Sequence, residues 1–394
     1  MVDDPIVITG IARTPMGGFQ GSLSGVTAAD LGAAAIKAAV ERSGIAAEAV
    51  QEVIMGCVLP AGQGQAPARQ ASLGADMPLN AGCTTINKMC GSGMKATMLA
   101  HDLLLAGTNQ VMVAGGMESM SNAPYLLPKA REGLRMGHGQ VKDHMFLDGL
   151  EDAYEKGKLM GSFAEICADK YGFTRESQDD FAIQSLRRAQ EATTSGAFSA
   201  EITPFTVKTR KGETVVDSDE QPFNANIEKI PTLRPAFRKD GTVTAANASS
   251  ISDGAAALTL MRRSEAKQRG LKPLAMIHGH STFAQEPAWF STAPVGAMKQ
   301  LLAKLDWSAD DVDLFEINEA FAVVTMAAMH DLALPHDKVN VNGGACALGH
   351  PIGASGARIL VTLIAALQNR GLKTGVASLC IGGGEATAMA VELL

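Results

Sequence analysis

The chain has 394 residues, 46% hydrophobic and 19% charged, with 41 Gly, 16 Pro, 6 Cys and a formal charge of −7. This apolar content excludes a disordered chain, and the acidic balance speaks against a nucleic-acid binder. The most apolar runs, 111–114 and 359–367, fall far short of the ~20 residues of a membrane-spanning helix.

The length predicts two or three domains. The opening Met1-Val-Asp-Asp-Pro has no basic or cleavable apolar segment, so neither a secretory signal nor a transit peptide is predicted. The default location is the cytoplasm. A strand is predicted at 6–9, then an Ala-rich helix over 28–43 that Gly44 stops. A second strand follows at 52–55, and a strand–helix–strand unit spans 84–114. This alternation predicts an α/β fold with a largely parallel sheet.

The second half repeats the pattern. Gly91-Ser-Gly-Met-Lys-Ala opens a helix leading to a strand that ends Gly-Gly-Met-Glu118. Ala354-Ser-Gly-Ala-Arg-Ile opens another, leading to Cys380-Ile-Gly-Gly-Gly-Glu. Residues 49–57 likewise correspond to 311–319. Two duplicated α/β halves are predicted. Between them, 121–245 contains Pro124, Pro128, the Gly-rich stretch 133–139 and a helix over 175–192. It then carries Lys208, Arg210, Lys211, Lys229, Arg234, Arg238 and Lys239 among acids. This segment reads as an inserted loop-rich domain. Its cations are either a phosphate contact or a solvated charged face.

Four segments combine reactive side chains with glycine. Cys90 lies where a strand ends and a helix begins; unpaired N–H groups there are expected to lower its thiol pKa. A buried structural cysteine is the competing reading, and the Gly91 to Ala96 spacing also gives a weak dinucleotide pattern. His350 lies in a Gly-rich turn before Pro351, in a place paralleling Cys90. In Cys380-Ile-Gly-Gly-Gly-Glu, consecutive glycines expose N–H groups suited to an oxyanion hole. Asn318, in Asn-Glu-Ala-Phe-Ala, either orients a water or ligand or caps a helix. Two thiols and an imidazole at one sheet end suit carbon–carbon bond formation between thioesters. One thiolate carries the acyl group, the histidine takes its proton, and the second thiolate removes a proton from carbon. The remaining cysteines, Cys57, Cys83, Cys167 and Cys346, read as reduced packing residues. With no C-x-x-C pair, no metal site is predicted.

Together these segments resemble the thiolase family, in particular its acetyl-CoA acetyltransferase branch. The matching stretches are 87–95, 113–122, 241–257, 318–322, 343–358 and 380–385, spread over nearly the whole chain. The resemblance implies two duplicated halves in a five-layer core. The N-terminal half is 1–120 plus 246–272, the inserted loop domain 121–245, and the C-terminal half 273–394. It implies Cys90 as acyl acceptor, His350 as its base, Cys380 as acid/base at the α-carbon, and Asn318 holding a water in one oxyanion hole. The N–H groups of Cys90 and Gly382 form the other.

The implied reaction joins two acetyl-CoA into acetoacetyl-CoA and CoA, reversibly and by a ping-pong path, with CoA thioesters as substrates and no cofactor. Leu150, Met160, Phe237, Ala245, Ser249, Ala320 and Phe321 are implied along the pantetheine channel. The 124–144 loop resembles a segment that builds a homotetramer. One departure is Leu159, where many biosynthetic members have histidine near the acyl group. Other readings are a broader 3-oxoacyl-CoA thiolase, a decarboxylating ketoacyl synthase and a non-catalytic lipid-carrier relative.

Overall fold

The structure is a computed structural model that describes residues 4–210 and 212–394. Nine principal strands are β1 Ile6–Arg13, β2 Glu52–Gly56, β3 Gly82–Ile86, β4 Val111–Ser119, β5 Ser252–Arg262, β6 Ala275–Ala284, β7 Leu314–Ile317, β8 Thr374–Ile381 and β9 Glu385–Leu393. The helices that matter are α1 Ala28–Ser43, α2 Ser92–Ala106, α3 Met160–Tyr171, α4 Arg175–Thr194, α5 Ala293–Leu305, α6 Ala322–Asp331 and α7 Ser355–Arg370. Helix α1 has the predicted bounds. Thr27 caps its start by accepting the Asp30 N–H, and Gly44 ends it at φ 74°.

All nine strands join one sheet, in the order β7-β8-β9-β6-β1-β5-β4-β2-β3, with the two-residue strand Gly17–Gly18 paired to β5. The seam between the halves is short: β1 meets β6 only at Val7–Met276 and Ile8–Ala275. The expectation of a largely parallel sheet is corrected. Only β2–β3, β2–β4 and β7–β8 pair in parallel. Strand β5 lies antiparallel between β1 and β4, and β9 antiparallel between β8 and β6. Three residues separate β8 from β9, so that pair is a hairpin, and a parallel pairing would need a crossover of a dozen residues or more.

The layers follow from the apolar faces. Helices α2 and α7 share one core with residues from both sets of strands. Helix α1 covers the opposite face of the N-terminal strands, and α5 that of the C-terminal strands. Helix, sheet, helices, sheet and helix make five layers. At the centre α2 and α7 cross through glycine. A Cβ on Gly93 would lie 2.7 Å from the Ala357 nitrogen, and one on Gly356 would lie 2.4 Å from the Met94 nitrogen. These contacts account for the dinucleotide-like glycine spacing as packing.

The duplication also holds for β2 and β7, each of which pairs in parallel with the strand after a central helix. It fails for one equivalence. Cys90 stands two residues before Ser92, whereas His350 stands five before Ser355, so Gly353 occupies the place that parallels Cys90.

Within 121–245, α3 packs with α6, Ala320, Phe321 and Cys380, and α4 packs with Ala347 and Leu348. Of the charged run, Lys208 pairs with Glu213 and Arg238 with Asp169 and Glu165, while Lys211 lies outside the described residues. No helix among the described residues is long and apolar enough to cross a membrane.

Candidate active site

Cys90 is presented by a strained turn between β3 and α2. The Asn87 Oδ1 accepts the Met89 N–H at 2.9 Å, Ser92 Oγ accepts the Lys88 N–H at 2.8 Å, and Ser92 Oγ donates to the Met89 carbonyl at 2.6 Å. These bonds hold Met89 at φ 48°, a left-handed conformation uncommon for a side chain of its size. The turn directs Cys90 Sγ at two backbone donors, its own N–H and that of Gly382. The expected lowering of the thiol pKa is corrected. Burial is the largest influence and pushes it up to about 11, against the pull of those two donors. The resting sulfur is therefore a thiol that needs a base.

A candidate for that base lines the same cavity as Cys90. His350 follows Gly349, whose φ of 102° and close approach to Ser252 admit only glycine. The His350 N–H donates to the Ser250 carbonyl at 3.1 Å. Burial, reinforced by the charge of Arg358, depresses the imidazole to about 3, so it is neutral at physiological pH. Its Nδ1 lies 2.6 Å from Ser355 Oγ, which also reaches the Pro351 carbonyl at 3.0 Å. With the serine proton on that carbonyl, Oγ accepts Nδ1–H and Nε2 carries the free lone pair. Nε2 is buried without a partner.

Asn318 sits just past β7, where its N–H donates to the Ser378 carbonyl. Its Nδ2 is 3.5 Å from His350 Nδ1, and its Oδ1 accepts from Arg358 Nη2 at 3.4 Å. The helix-cap reading fails, because α6 begins at Ala322 with Phe321 at the cap position.

Cys380 lies at the end of β8, opposite Ala386. Burial and the neighbouring Cys90 sulfur raise its thiol well above the usual range. The Gly382–Gly384 turn follows, with Gly383 at φ 93° and Gly384 at φ 86°. An ion pair between Lys88 and Glu385 ties this turn to the Cys90 turn.

Cys90, His350, Cys380 and Gly382 open onto one cavity of about 650 Å³. Leu150, Met160, Phe237, Ala245, Ser249, Ala320 and Phe321 all line it, as does Leu159. Two segments form one wall: the Ala320 carbonyl accepts both the N–H and the Oγ–H of Ser249, each at 3.0 Å. Asn318 lies behind this wall and reaches the cavity through His350. Lys229 and Cys346 line a separate cavity of about 320 Å³.

Four supporting residues were not foreseen: Glu118, Glu319, Ser355 and Arg358. The buried Glu118 carboxylate accepts the N–H groups of Val58 (2.9 Å), Leu59 (3.1 Å) and Gly353 (2.9 Å), joining the β2 exit to the His350 loop. Burial pushes it up to about 7. Glu319 accepts from Ser185 Oγ (2.7 Å), Asn340 Nδ2 (2.8 Å) and the Cys346 N–H (3.1 Å). The available signal was a charge in an otherwise apolar run: Glu118 closing β4, Arg358 inside α7. Among the described residues one trio, His101, Asp102 and His280, is spaced to hold a metal ion, and none of the three lines either cavity.

The chain matches the family description "Thiolase, N-terminal domain" over residues 6–264 and "Thiolase, C-terminal domain" over 271–393. It is 52% identical over 392 residues to Acetyl-CoA acetyltransferase 2 of Arabidopsis thaliana, covering 99% of this chain and 97% of that one. It is 50% identical over 389 residues to the Acetyl-CoA acetyltransferase of Chromobacterium violaceum, covering 98% and 99%. Among solved structures, the acetyl-CoA acetyltransferase of Bacillus anthracis superposes with a TM-score of 0.97 at 44% identity, covering 99% of each chain. The Acat5 thiolase of Ascaris suum, solved in complex with coenzyme A, superposes at 0.93 and 43%, covering 99% of this chain and 100% of that one.

Proposed function

Since the chain belongs to the thiolase family, we propose that Cys90, His350, Cys380, Asn318 and the N–H groups of Cys90 and Gly382 carry out its condensation of two acetyl-CoA into acetoacetyl-CoA and CoA. One observation carries this reading. Two thiols, a neutral imidazole with a free Nε2 and two converging N–H donors share one apolar cavity.

In this reading His350 takes the Cys90 proton as the sulfur attacks the acetyl-CoA carbonyl. The N–H groups of Cys90 and Gly382 hold the resulting oxyanion. Cys380, a thiol at rest, protonates the departing CoA sulfur and becomes a thiolate, paired with the imidazolium. That thiolate removes the α-proton of the second acetyl-CoA. The enolate oxygen is held by His350 and by a water on Asn318. The enolate carbon attacks acetyl-Cys90, the Cys90 sulfur leaves, and His350 returns its proton. Both thiols are restored, so the cycle balances and runs in either direction without a cofactor.

Leu150, Met160, Phe237, Ala245, Ser249, Ala320 and Phe321 form the pantetheine channel. The working compartment is the cytoplasm, where thiols stay reduced; all six cysteines are unpaired. The working assembly is a homotetramer, supported by the exposed Tyr125, Met136 and Val141 of the 124–144 loop.

The test is acyl labelling. Wild-type protein incubated with acetyl-CoA gains one acetyl group on Cys90 by mass spectrometry, and Cys90→Ser gains none and loses turnover. Wild-type labelling of the serine variant contradicts the assignment.

A further inference from the structure

Two arginines are fully buried, and they are held in different ways. Arg13 donates to Glu201 at 2.6 Å and to both oxygens of Asp219 at 2.7 and 2.9 Å, the forked pairing that offsets the cost of a buried cation. Arg358 has no such partner. Its Nη1 stands 3.6 Å from Glu316 Oε2, and Nε and Nη1 form no hydrogen bond. Among the described residues the one hydrogen bond of its side chain is the 3.4 Å contact from Nη2 to Asn318 Oδ1. A guanidinium so poorly compensated is a weak contributor to stability, and its location is specific. It lies three residues after Ser355 on α7, one turn along the same face. Ser355 fixes Nδ1 of His350, and Arg358 fixes the amide beside it.

We propose that Arg358 is a positioning residue that sets the orientation of the Asn318 amide and thereby the donor offered beside His350. Arginine presents only donors, so the atom facing it must be Oδ1. The other end of the amide, Nδ2, is then turned toward the imidazole. The imidazole does not hold this orientation, since its Nδ1–H is itself a donor and would favour Oδ1; the contact from Arg358 is the one that opposes the flip. Without Arg358 the amide is free to flip, which would present an acceptor in place of a donor to the water that the proposed oxyanion hole places on Asn318.

A second consequence is electrostatic. The groups around His350 are Ser355 and Arg358 from α7, Cys90 from the β3–α2 turn and Cys380 from β8. Glu316 and Glu319 flank Asn318, and Glu118 reaches in through Gly353. The thiols are neutral at rest, and burial raises Glu118, Glu316 and Glu319. After burial, which is the larger influence, the charge of Arg358 opposes protonation of the imidazole. The base works only when neutral, so removing that charge moves the acid limb of acylation upward in pH.

The inference rests on the proposed roles of Cys90, His350 and Asn318, and the experiment separates the two. Three variants are compared with wild type after circular dichroism and a cooperative melt confirm folding. Arg358→Lys keeps a donor-only charge, but its nitrogen ends one bond short of the Nη2 position that reaches the amide. Arg358→Met with Glu316→Met removes the pair together and leaves no orphan charge. Asn318→Ala removes the amide. Arg358→Lys is expected to lower kcat by about tenfold to hundredfold, with KM for acetyl-CoA changed by less than about twofold. Added to Asn318→Ala it costs nothing further. The paired methionine variant is expected to lose Cys90 acetylation on acidification while wild type and Arg358→Lys do not.

Wild-type kcat in Arg358→Lys, or losses that add to those of Asn318→Ala, overturn the inference. An unmoved acid limb in the paired variant overturns its electrostatic part. Acetylation that persists in Cys90→Ser instead overturns the underlying assignment.

Discussion

In the proposed reaction, Cys90 and Cys380 show how surroundings suit one residue type to two tasks. The half-buried Cys90 and the buried Cys380 are both thiols raised above their usual range, but only Cys90 has its sulfur facing two backbone donors. Those donors suit it to an acyl group and a developing oxyanion. Cys380 has the harder burial and the neighbouring sulfur, so its thiolate, once formed, is a strong base suited to a carbon acid. Cys380→Ser is expected to leave Cys90 acetylation by acetyl-CoA close to wild type. Condensation should fall by at least about 10²-fold, within the usual range for a lost acid/base group. Stopped-flow detection of the acetyl-enzyme, set against steady-state product formation, separates the steps; unimpaired condensation would refute the role. Cys90, His350 and Cys380 were legible because each is a reactive side chain set among glycines. Glu118 was not, since its significance comes from atoms far away in the chain, such as the Gly353 N–H; Ser355 lies only five residues from His350, but a serine at a helix start does not by itself reveal a bond to the imidazole.

At the scale of elements, the site depends on turns that glycine permits and on one helix crossing. The β8–β9 hairpin closes through Gly383 and Gly384 at positive φ. A Cβ on Gly384 would lie 2.4 Å from the Gln285 carbonyl. Helices α2 and α7 carry Cys90 and His350 on the loops before their first turns, so their separation sets the distance between the proposed nucleophile and base. Gly356→Ala is expected to force them apart, costing about 1–3 kcal/mol of stability. Urea unfolding would show this, and acetylation of Cys90 should slow more than the stability loss alone explains. An alanine variant with wild-type stability and rate would show that the crossing tolerates a methyl group. Helix α1 was predictable to the residue because both its caps are local signals. Strand direction was not: β5 takes its direction from the distant β1 and β4, and β9 turns back on β8 through a three-residue hairpin that the alternation of strands and helices did not register.

At the scale of the molecule, the five layers bring the ends of two halves to one cavity, and helices of the 121–245 segment form part of its wall. Met160 and Leu159 at the start of α3 line it beside Phe290 and Phe321 from the C-terminal half. In the proposed assembly, the exposed apolar side chains of the 124–144 loop meet other copies. Light scattering is expected to give the mass of four chains, and a mass near two would refute the tetramer. The acyl range is a property of the same wall. Cleavage of acetoacetyl-CoA is expected to exceed that of 3-oxo-octanoyl-CoA, and the reverse order would show that Leu159 opens the site to longer chains.

By itself the sequence determined the duplicated α/β plan, the family and the candidate reactive residues, since periodicity, local caps and motif chemistry are properties of neighbouring residues. Tertiary structure decided the rest. It made the sheet mixed, because pairing direction depends on which distant strands meet. It set the Cys90 thiol high and His350 low, because desolvation comes from the packed surroundings and outweighs the local donors at a helix start. It also gave Arg358 a single amide to hold, a contact between residues 40 apart.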